Sequence, residues 1–333
     1  EYLKNLKIIA EVGVNHNGKI SLAKKLIKSA KFAGADYVKF QCYSTDELVT
    51  PRAKKARYQR KFDKSESQKQ MLKKYQLSEK EFIYLKNYCN KIGIKFLASV
   101  FDLKSLKLVK RLGLNLIKLP SGELNNFELL EQIAKKEHRI ILSTGMASFT
   151  EIGETIKYLR KRLKKKLTVL HCISSYPTKP NQVQIKNMVE IKKRFNVNVG
   201  FSDHTNSFEA AIAATVLGAA VIEKHLTLNK KMRGPDHSSS LDPNEFFNFV
   251  KSIRNVEKII VSKKNKITSE ELMNSKLVRK SIVAKTKIKK GEKFSRKNIT
   301  TKRPNNGISA DKWFEVLNKV AKKNFEANEL IKL

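Results

Sequence analysis

The chain has 333 residues, with 69 Lys plus Arg against 31 Asp plus Glu, a formal net charge of +38, and 41% hydrophobic residues. That apolar content can fill a sizeable core, and no apolar run approaches the ~18–20 residues of a membrane-spanning helix. Three scattered cysteines, Cys42, Cys89 and Cys172, form no C-x-x-C pair; they argue against a disulfide scaffold and lead us to expect a reducing, cytoplasmic setting.

The opening residues lack the charged, apolar and cleavage-site order of a secretory signal, so none is expected. The lysines run along the whole chain, the densest block being 160–166 at the end of one predicted helix. With no Arg/Gly-rich tail and no recognisable nucleic-acid module, the charge reads as a solvated surface rather than a polyanion site.

Short apolar, often β-branched runs recur at 7–12, 36–41, 94–99, 116–120, 139–143, 167–172, 197–201 and 220–223. Most intervals hold a helical pattern; in the first, apolar residues fall at Leu22, Leu26, Ile27 and Ala30. Eight alternations of strand and helix predict an α/β fold, a (β/α)8 barrel. The second interval is about twice as long as the rest. It carries a basic polar stretch over 43–69 and then a predicted helix over 79–91; a long loop there belongs at the barrel's C-terminal mouth. Beyond the eighth strand we expect a helix over 244–260, closing a catalytic domain of residues 1–260. A polar linker follows over 261–276, and then a small β-rich domain over 277–333, with a strand at Ser281–Ala284 and a turn at Lys290-Gly291.

A barrel strand should be apolar, so polar residues at its end call for a reason. Glu11 closes the first strand, ahead of Asn15, His16 and Asn17; Lys39 and Gln41 stand on the second and Ser99 on the third. The fourth gives Lys118, Ser121 and Glu123, the fifth Ser143 and Thr144, and the sixth His171, with Ser174 and Tyr176 beyond. The seventh gives Ser202, Asp203 and His204, the eighth Glu223, Lys224 and His225. Barrel enzymes gather their chemistry at this end. Lys39 and Lys118 with neighbouring hydroxyls make a cradle for a phosphate and a carboxylate. His204 and His225, ending adjacent strands amid oxygen donors and no cysteine, can share one divalent ion: Mn2+, with Mg2+ or Co2+ also suited. Glu11 and Glu123 are candidate proton handlers. A lone strand-end histidine is more often a hydrogen-bonded core residue, and His16 and His171 read that way; the three cysteines read as inert.

Several stretches then resemble the motifs of sialic acid synthases: Glu11-Val12-Gly13-Val14-Asn15-His16-Asn17-Gly18, Val38-Lys39-Phe40-Gln41, Lys118-Leu119-Pro120-Ser121-Gly122-Glu123, Leu142-Ser143-Thr144-Gly145-Met146, Ser202-Asp203-His204-Thr205 and Glu223-Lys224-His225-Leu226-Thr227-Leu228. Gly234-Pro235-Asp236-His237 and Lys302-Arg303-Pro304-Asn305-Asn306-Gly307 complete the set, in order along essentially the whole chain. The resemblance implies a barrel followed by an antifreeze-like (SAF) domain. It also implies condensation of phosphoenolpyruvate with an N-acylated mannosamine-type sugar, releasing phosphate. The family's phosphoenolpyruvate positions match Lys39, Gln41, Lys118, Ser121, Ser143 and Ser202, with Ser99 keeping a hydroxyl nearby. Its metal ligands match His204 and His225, and its sugar contacts match Glu123, Tyr176 and Asp236, with Glu11 near the reacting centre. It further implies a domain-swapped homodimer in which Arg303 reaches the partner's site; from the spread charge and the short apolar runs we expect no specific nucleic-acid partner and no membrane partner.

The first expectation is N-acetylneuraminate synthesis from N-acetylmannosamine. The alternative is legionaminic acid synthesis from 2,4-diacetamido-2,4,6-trideoxymannose, with pseudaminic acid synthesis third. Departures at Ala98-Ser99-Val100-Phe101, Ile173-Ser174-Ser175-Tyr176 and Leu277 leave the sugar open. Two readings of other kinds stand beside these. A Schiff-base aldolase working through Lys39 or Lys118 would give a borohydride-trappable adduct. A polyanion- or ice-binding protein would show steeply salt-dependent DNA binding or thermal hysteresis.

Overall fold

The computed structural model describes residues 6–56, 59–60, 63–135, 138–162, 167–260 and 266–333. The start of the expected linker (261–265), part of the basic block (163–166) and four residues of the long second interval (57–58 and 61–62) lie outside them. Two compact units divide the chain, Glu1–Ser262 and Lys263–Leu333.

The first unit is a closed barrel of eight parallel strands: β1 (Lys7–Gly13), β2 (Tyr37–Cys42), β3 (Lys95–Val100), β4 (Leu116–Leu119), β5 (Arg139–Ser143), β6 (Leu167–Cys172), β7 (Asn198–Asp203) and β8 (Val221–His225). Period-two alternation sorts each strand. Ile8, Ala10, Val38, Phe40, Ile117, Leu142, Val169 and Ile222 turn outward into one core beneath the helices. Ile9, Leu97, Ile141, Leu170 and Val221 turn inward and make a separate apolar layer across the lumen. Gly200 faces that layer; a Cβ there would stand 2.4 Å from Val221 O and 2.6 Å from Leu170 Cδ2, so only glycine lets β7 and β8 close up.

The outer helices begin where local chemistry directs. Ser78 with Glu81 and Ser148 with Glu151 form capping boxes before Glu79–Ile92 and Phe149–Arg160, and Gly93 ends the former in a left-handed turn. The long second interval is not all loop: it folds into Thr45–Leu48 and Gln68–Tyr75. Asp63, buried between them, accepts from Tyr75 Oη at 3.0 Å and lies 3.3 Å from Lys74 Nζ.

In the second unit β9 (Ser281–Ala284) pairs antiparallel with β10 (Ile299–Lys302). Its own core includes Ile282, Ile288, Phe294, Ile299 and Phe325. The segment expected as a linker over 261–276 is helical from Ser269 to Val278. Thr268 accepts from the Glu271 amide while the Glu271 carboxylate takes the Thr268 N–H, and this capping box starts a helix in a stretch whose polarity reads as loop. No described helix is long and apolar enough to cross a membrane.

Candidate active site

Strand register carries the polar residues to one level. Glu11 pairs with Lys39 on one side and His225 on the other. Gln41 pairs with Ser99, Ser99 with Lys118, Cys172 with Ser202, and Ser202 with Glu223. These are inward positions two residues above the apolar layer, or four for Gln41 and His225, so the same alternation that fills the lumen with Ile and Leu opens its top onto charge. Above them lies a cavity of about 950 Å³ at the C-terminal mouth.

Its wall includes Glu11, Lys39, Gln41, Ser99, Lys118, Ser121, Ser143, Tyr176, Ser202, His204, His225 and Asp236. Two expected residues are not part of that wall. Glu123 is buried in the turn Ser121–Glu123, where its carboxylate accepts from Asn126 Nδ2 at 2.7 Å; burial still pushes its carboxyl up. Arg303 belongs to the second unit. Asp203 and Lys224, read from strand position as facing the mouth, instead pair with each other at 2.8 Å, both fully buried. Lys224 also donates to Thr205 O and Ser207 O, tying down the loop after β7.

The centre of the cavity floor is Glu223, a strand-end residue to which the sequence attached no role. Its carboxylate lies 2.7 Å from Lys39 Nζ and 3.7 Å from Lys118 Nζ, and it accepts from Ser202 Oγ at 3.0 Å. Glu11 adds a second carboxylate 3.4 Å from Lys39. All four charged groups are buried. Burial alone would raise the Glu223 carboxyl, but the ammonium groups of Lys118 and Lys39 outweigh it and hold it well below the usual range. Burial would likewise lower Lys39; the Glu11 and Glu223 carboxylates reverse that and raise it. Lys118, farther from a carboxylate, is lowered by burial. Glu11 is raised chiefly by burial, against the pull of Lys39. With Glu223 ionised and Glu11 readily protonated, the cluster keeps a surplus of positive charge for an incoming anion. The signal for Glu223 was present: it shares a face with His225 two residues on.

Beside the cluster stand the two imidazoles, ring centroids 5.6 Å apart. His204 Nδ1 donates to Ile173 O at 2.7 Å in the tautomer that leaves Nε2 a lone pair. His225 Nδ1 is buried with no hydrogen-bond partner. Burial lowers both pKa values, so both rings stand neutral, as ligands must. No group of three or more His, Cys, Asp or Glu among the described residues is arranged to hold an ion. A divalent cation here would therefore have two protein nitrogens and would take oxygens from water and substrate. The buried nitrogen with no partner and the neutral pair fit such an ion.

Other histidines have structural partners. His16 Nδ1 accepts from the Gly18 amide, His171 Nε2 meets Val183 O, and His237 bridges Thr227 and Asn17. Gly13, at φ +55°, leaves room where Asp236 Oδ2, Gln41 Nε2 and Glu11 Oε1 converge, each 3.4 Å from the position of an added Cβ. Burial pushes the Asp236 carboxyl up to about 7. Cys172, read as inert, lines the cavity with its Sγ 3.2 Å from Ser121 Oγ. Ser143 Oγ is buried with no hydrogen-bond partner. The rim also carries Met146, 76% exposed and at φ +68°.

Comparison with known proteins agrees with this architecture. The N,N'-diacetyllegionaminic acid synthase of Campylobacter jejuni is 47% identical over 99% of this chain and 100% of that protein. The N-acetylneuraminate-9-phosphate synthase of Mus musculus is 33% identical over 89% of this chain and 82% of that protein. The crystal structure of N-acetylneuraminic acid (sialic acid) synthetase from Leptospira borgpetersenii serovar Hardjo-bovis, in complex with citrate, superposes with a TM-score of 0.71 at 30% identity. It covers 81% of this chain and 90% of that one. The NeuB family model matches residues 26–266 and the SAF domain model residues 279–333, so this chain, an enzyme by its site and its relatives, belongs to the NeuB family, that of the sialic acid synthases.

Proposed function

We propose that the enzyme condenses phosphoenolpyruvate with 2,4-diacetamido-2,4,6-trideoxymannose, giving N,N'-diacetyllegionaminic acid and phosphate. The carrying observation is a cavity that holds two buried ammonium groups and two neutral imidazoles side by side, an anion cradle next to a cation seat. The sugar is taken from the alternative reading rather than from the first expectation, N-acetylmannosamine. The legionaminic acid synthase resembles this chain at 47% identity and the neuraminate-9-phosphate synthase at 33%.

In this reading Lys39 and Lys118 neutralise the phosphate and carboxylate, and Gln41, Ser121, Ser143 and Ser202 supply directed hydrogen bonds. Ser143 Oγ, buried without a partner, gains one when the anion enters. C3 of phosphoenolpyruvate attacks the sugar aldehyde, water adds at C2, and the C–O bond to phosphate breaks. His204 and His225 would hold the divalent cation, Mn2+ by the donor set, with Mg2+ or Co2+ as substitutes. When bound, such an ion polarises the aldehyde oxygen. Glu11, whose carboxyl burial raises to about 7, takes the proton of the adding water in this reading. Tyr176, its ring 4.3 Å from that of His204, and Asp236 bound the space for the sugar. Glu123 and Arg303 act as sugar contacts only once substrate and a second copy are present. The homodimer is part of this proposal, supported by the exposed Leu272, Met273 and Leu277 on the helix Ser269–Val278.

The lowered Lys118 amine also suits a Schiff base. Trapping with borohydride separates the two readings, since the synthase forms no reducible adduct.

The test is phosphate release from phosphoenolpyruvate with Mn2+ and either sugar. We expect kcat/KM at least ~10-fold higher for the 2,4-diacetamido-6-deoxy sugar, a difference of ~1.4 kcal/mol. Preference for N-acetylmannosamine would return the reading to the neuraminate synthases, and turnover of neither would remove it.

A further inference from the structure

The opposite, N-terminal end of the barrel holds a second cavity, of about 400 Å³. Lys7, Tyr37, Arg139 and Asn198 line it, above a floor that includes Ile9, Ile141 and Val221. It shares no lining residue with the catalytic cavity. The apolar layer of Ile9, Leu97, Ile141, Leu170 and Val221 lies between the two. Barrel interiors are normally filled by packed layers of side chains, so a bowl of this size with an apolar floor and a polar rim is a container rather than a packing fault.

Its charge is uneven. Asp36 is met by Arg254 at 2.6 Å and by Lys7 at 3.7 Å, and Arg254 also meets Glu257 at 2.7 Å. Those two cations and two carboxylates close a neutral set. Arg139 and Lys95 are left over, with no carboxylate at ion-pair distance among the described residues. Arg139 stands exposed at the first position of β5, and Lys95 Nζ lies 5.5 Å above the ring of Tyr37. A guanidinium with no carboxylate partner among the described residues, lining one bowl with an amide, a phenol and an apolar floor, presents one amphipathic surface: a fork for an anionic head and a dry seat for the body behind it.

We propose that this bowl is a second ligand site, taking a small organic anion with a phosphate or carboxylate head and an apolar body. The head meets the Arg139 guanidinium, within the field of Lys95. The body rests on Ile9, Ile141 and Val221. The site does not depend on which sugar the enzyme uses.

The test titrates phenyl phosphate, and in parallel benzoate, into the full chain saturated with phosphoenolpyruvate and Mn2+, so that the catalytic cradle is already filled. Calorimetry should show one equivalent of phenyl phosphate bound per chain. Arg139→Ala and Arg139→Gln should each weaken it at least tenfold while leaving turnover unchanged, and Lys95→Ala should weaken it less. Benzoate binding as tightly as phenyl phosphate would assign the seat to carboxylates too; weaker benzoate binding would assign it to phosphates. Unchanged turnover certifies the fold of each variant, and Arg139→Gln, which keeps the side-chain stem, serves if the alanine variant is inactive. Absence of binding for both probes, or binding undiminished in a folded Arg139 variant, overturns the proposal.

Discussion

The two ends of the barrel are built from the same eight strands and the same alternation, yet they treat charge in opposite ways. At the mouth, Lys39, Lys118, Glu11 and Glu223 are buried and bound to one another. At the foot, Lys7, Lys95 and Arg139 stand partly or fully in solvent, and among the described residues only Lys7 has a carboxylate near it. The difference lies in what water can do. An exposed cation is solvated whether or not it has a partner, and its ion pairs contribute ~0–1 kcal/mol. A buried one must be answered by the protein, so each member of the mouth cluster constrains the others, and their affinities for protons and anions move away from ordinary values.

The largest effect that would sharpen this contrast is on Glu223. Glu223→Gln keeps the shape but leaves Lys39 and Lys118 to share Glu11. Breaking a buried pair by removing one partner costs ~3–5 kcal/mol, so denaturation of the ligand-free variant should show a loss in that range. Phosphoenolpyruvate should recover part of it by returning negative charge to the cluster. Arg139→Gln at the foot should change stability by no more than ~0.5 kcal/mol. Equal costs at the two ends would break the comparison.

A second effect, spread over several pH units, concerns Asp236. Its folded carboxyl ionises at about 7 against an ordinary 3.8, and burial is the cause. Between those pH values the folded chain keeps a proton that the unfolded chain has lost. Stability is therefore greatest below the lower value and falls as pH rises through the window, by up to ~1.4 kcal/mol per pH unit. Asp236→Asn should remove this component, so metal-free variant and parent should differ most above pH 7, with the variant the more stable. Parallel stability profiles for the two would show that Asp236 is not held in this way.

Much of the fold was legible because barrel strands repeat a short-range pattern, and β5 and β6 fall on the predicted residues. Most of the cavity wall was legible for a related reason: strand-end polarity is local. What escaped depends on pairings between distant strands. Glu223 matters through Lys39 on β2 and Lys118 on β4, and no window of sequence around β8 contains either. Glu123 shows the converse: its strand places it at the mouth, but a three-residue turn hands its carboxylate to Asn126. The helix Ser269–Val278 was hidden by polarity, although its capping pair Thr268 and Glu271 is visible in the sequence. Arg139 read as a strand boundary, since nothing in one strand reveals a bowl enclosed by several.

The proposed chemistry requires His204 and His225 to grip one ion beside the anion cradle. Calorimetric titration of Mn2+ into the phosphoenolpyruvate-saturated chain tests this directly. We expect one ion bound per chain, with binding lost in both His204→Ala and His225→Ala while phosphoenolpyruvate is still retained by Lys39 and Lys118. Undiminished Mn2+ affinity in either folded variant would contradict the shared site.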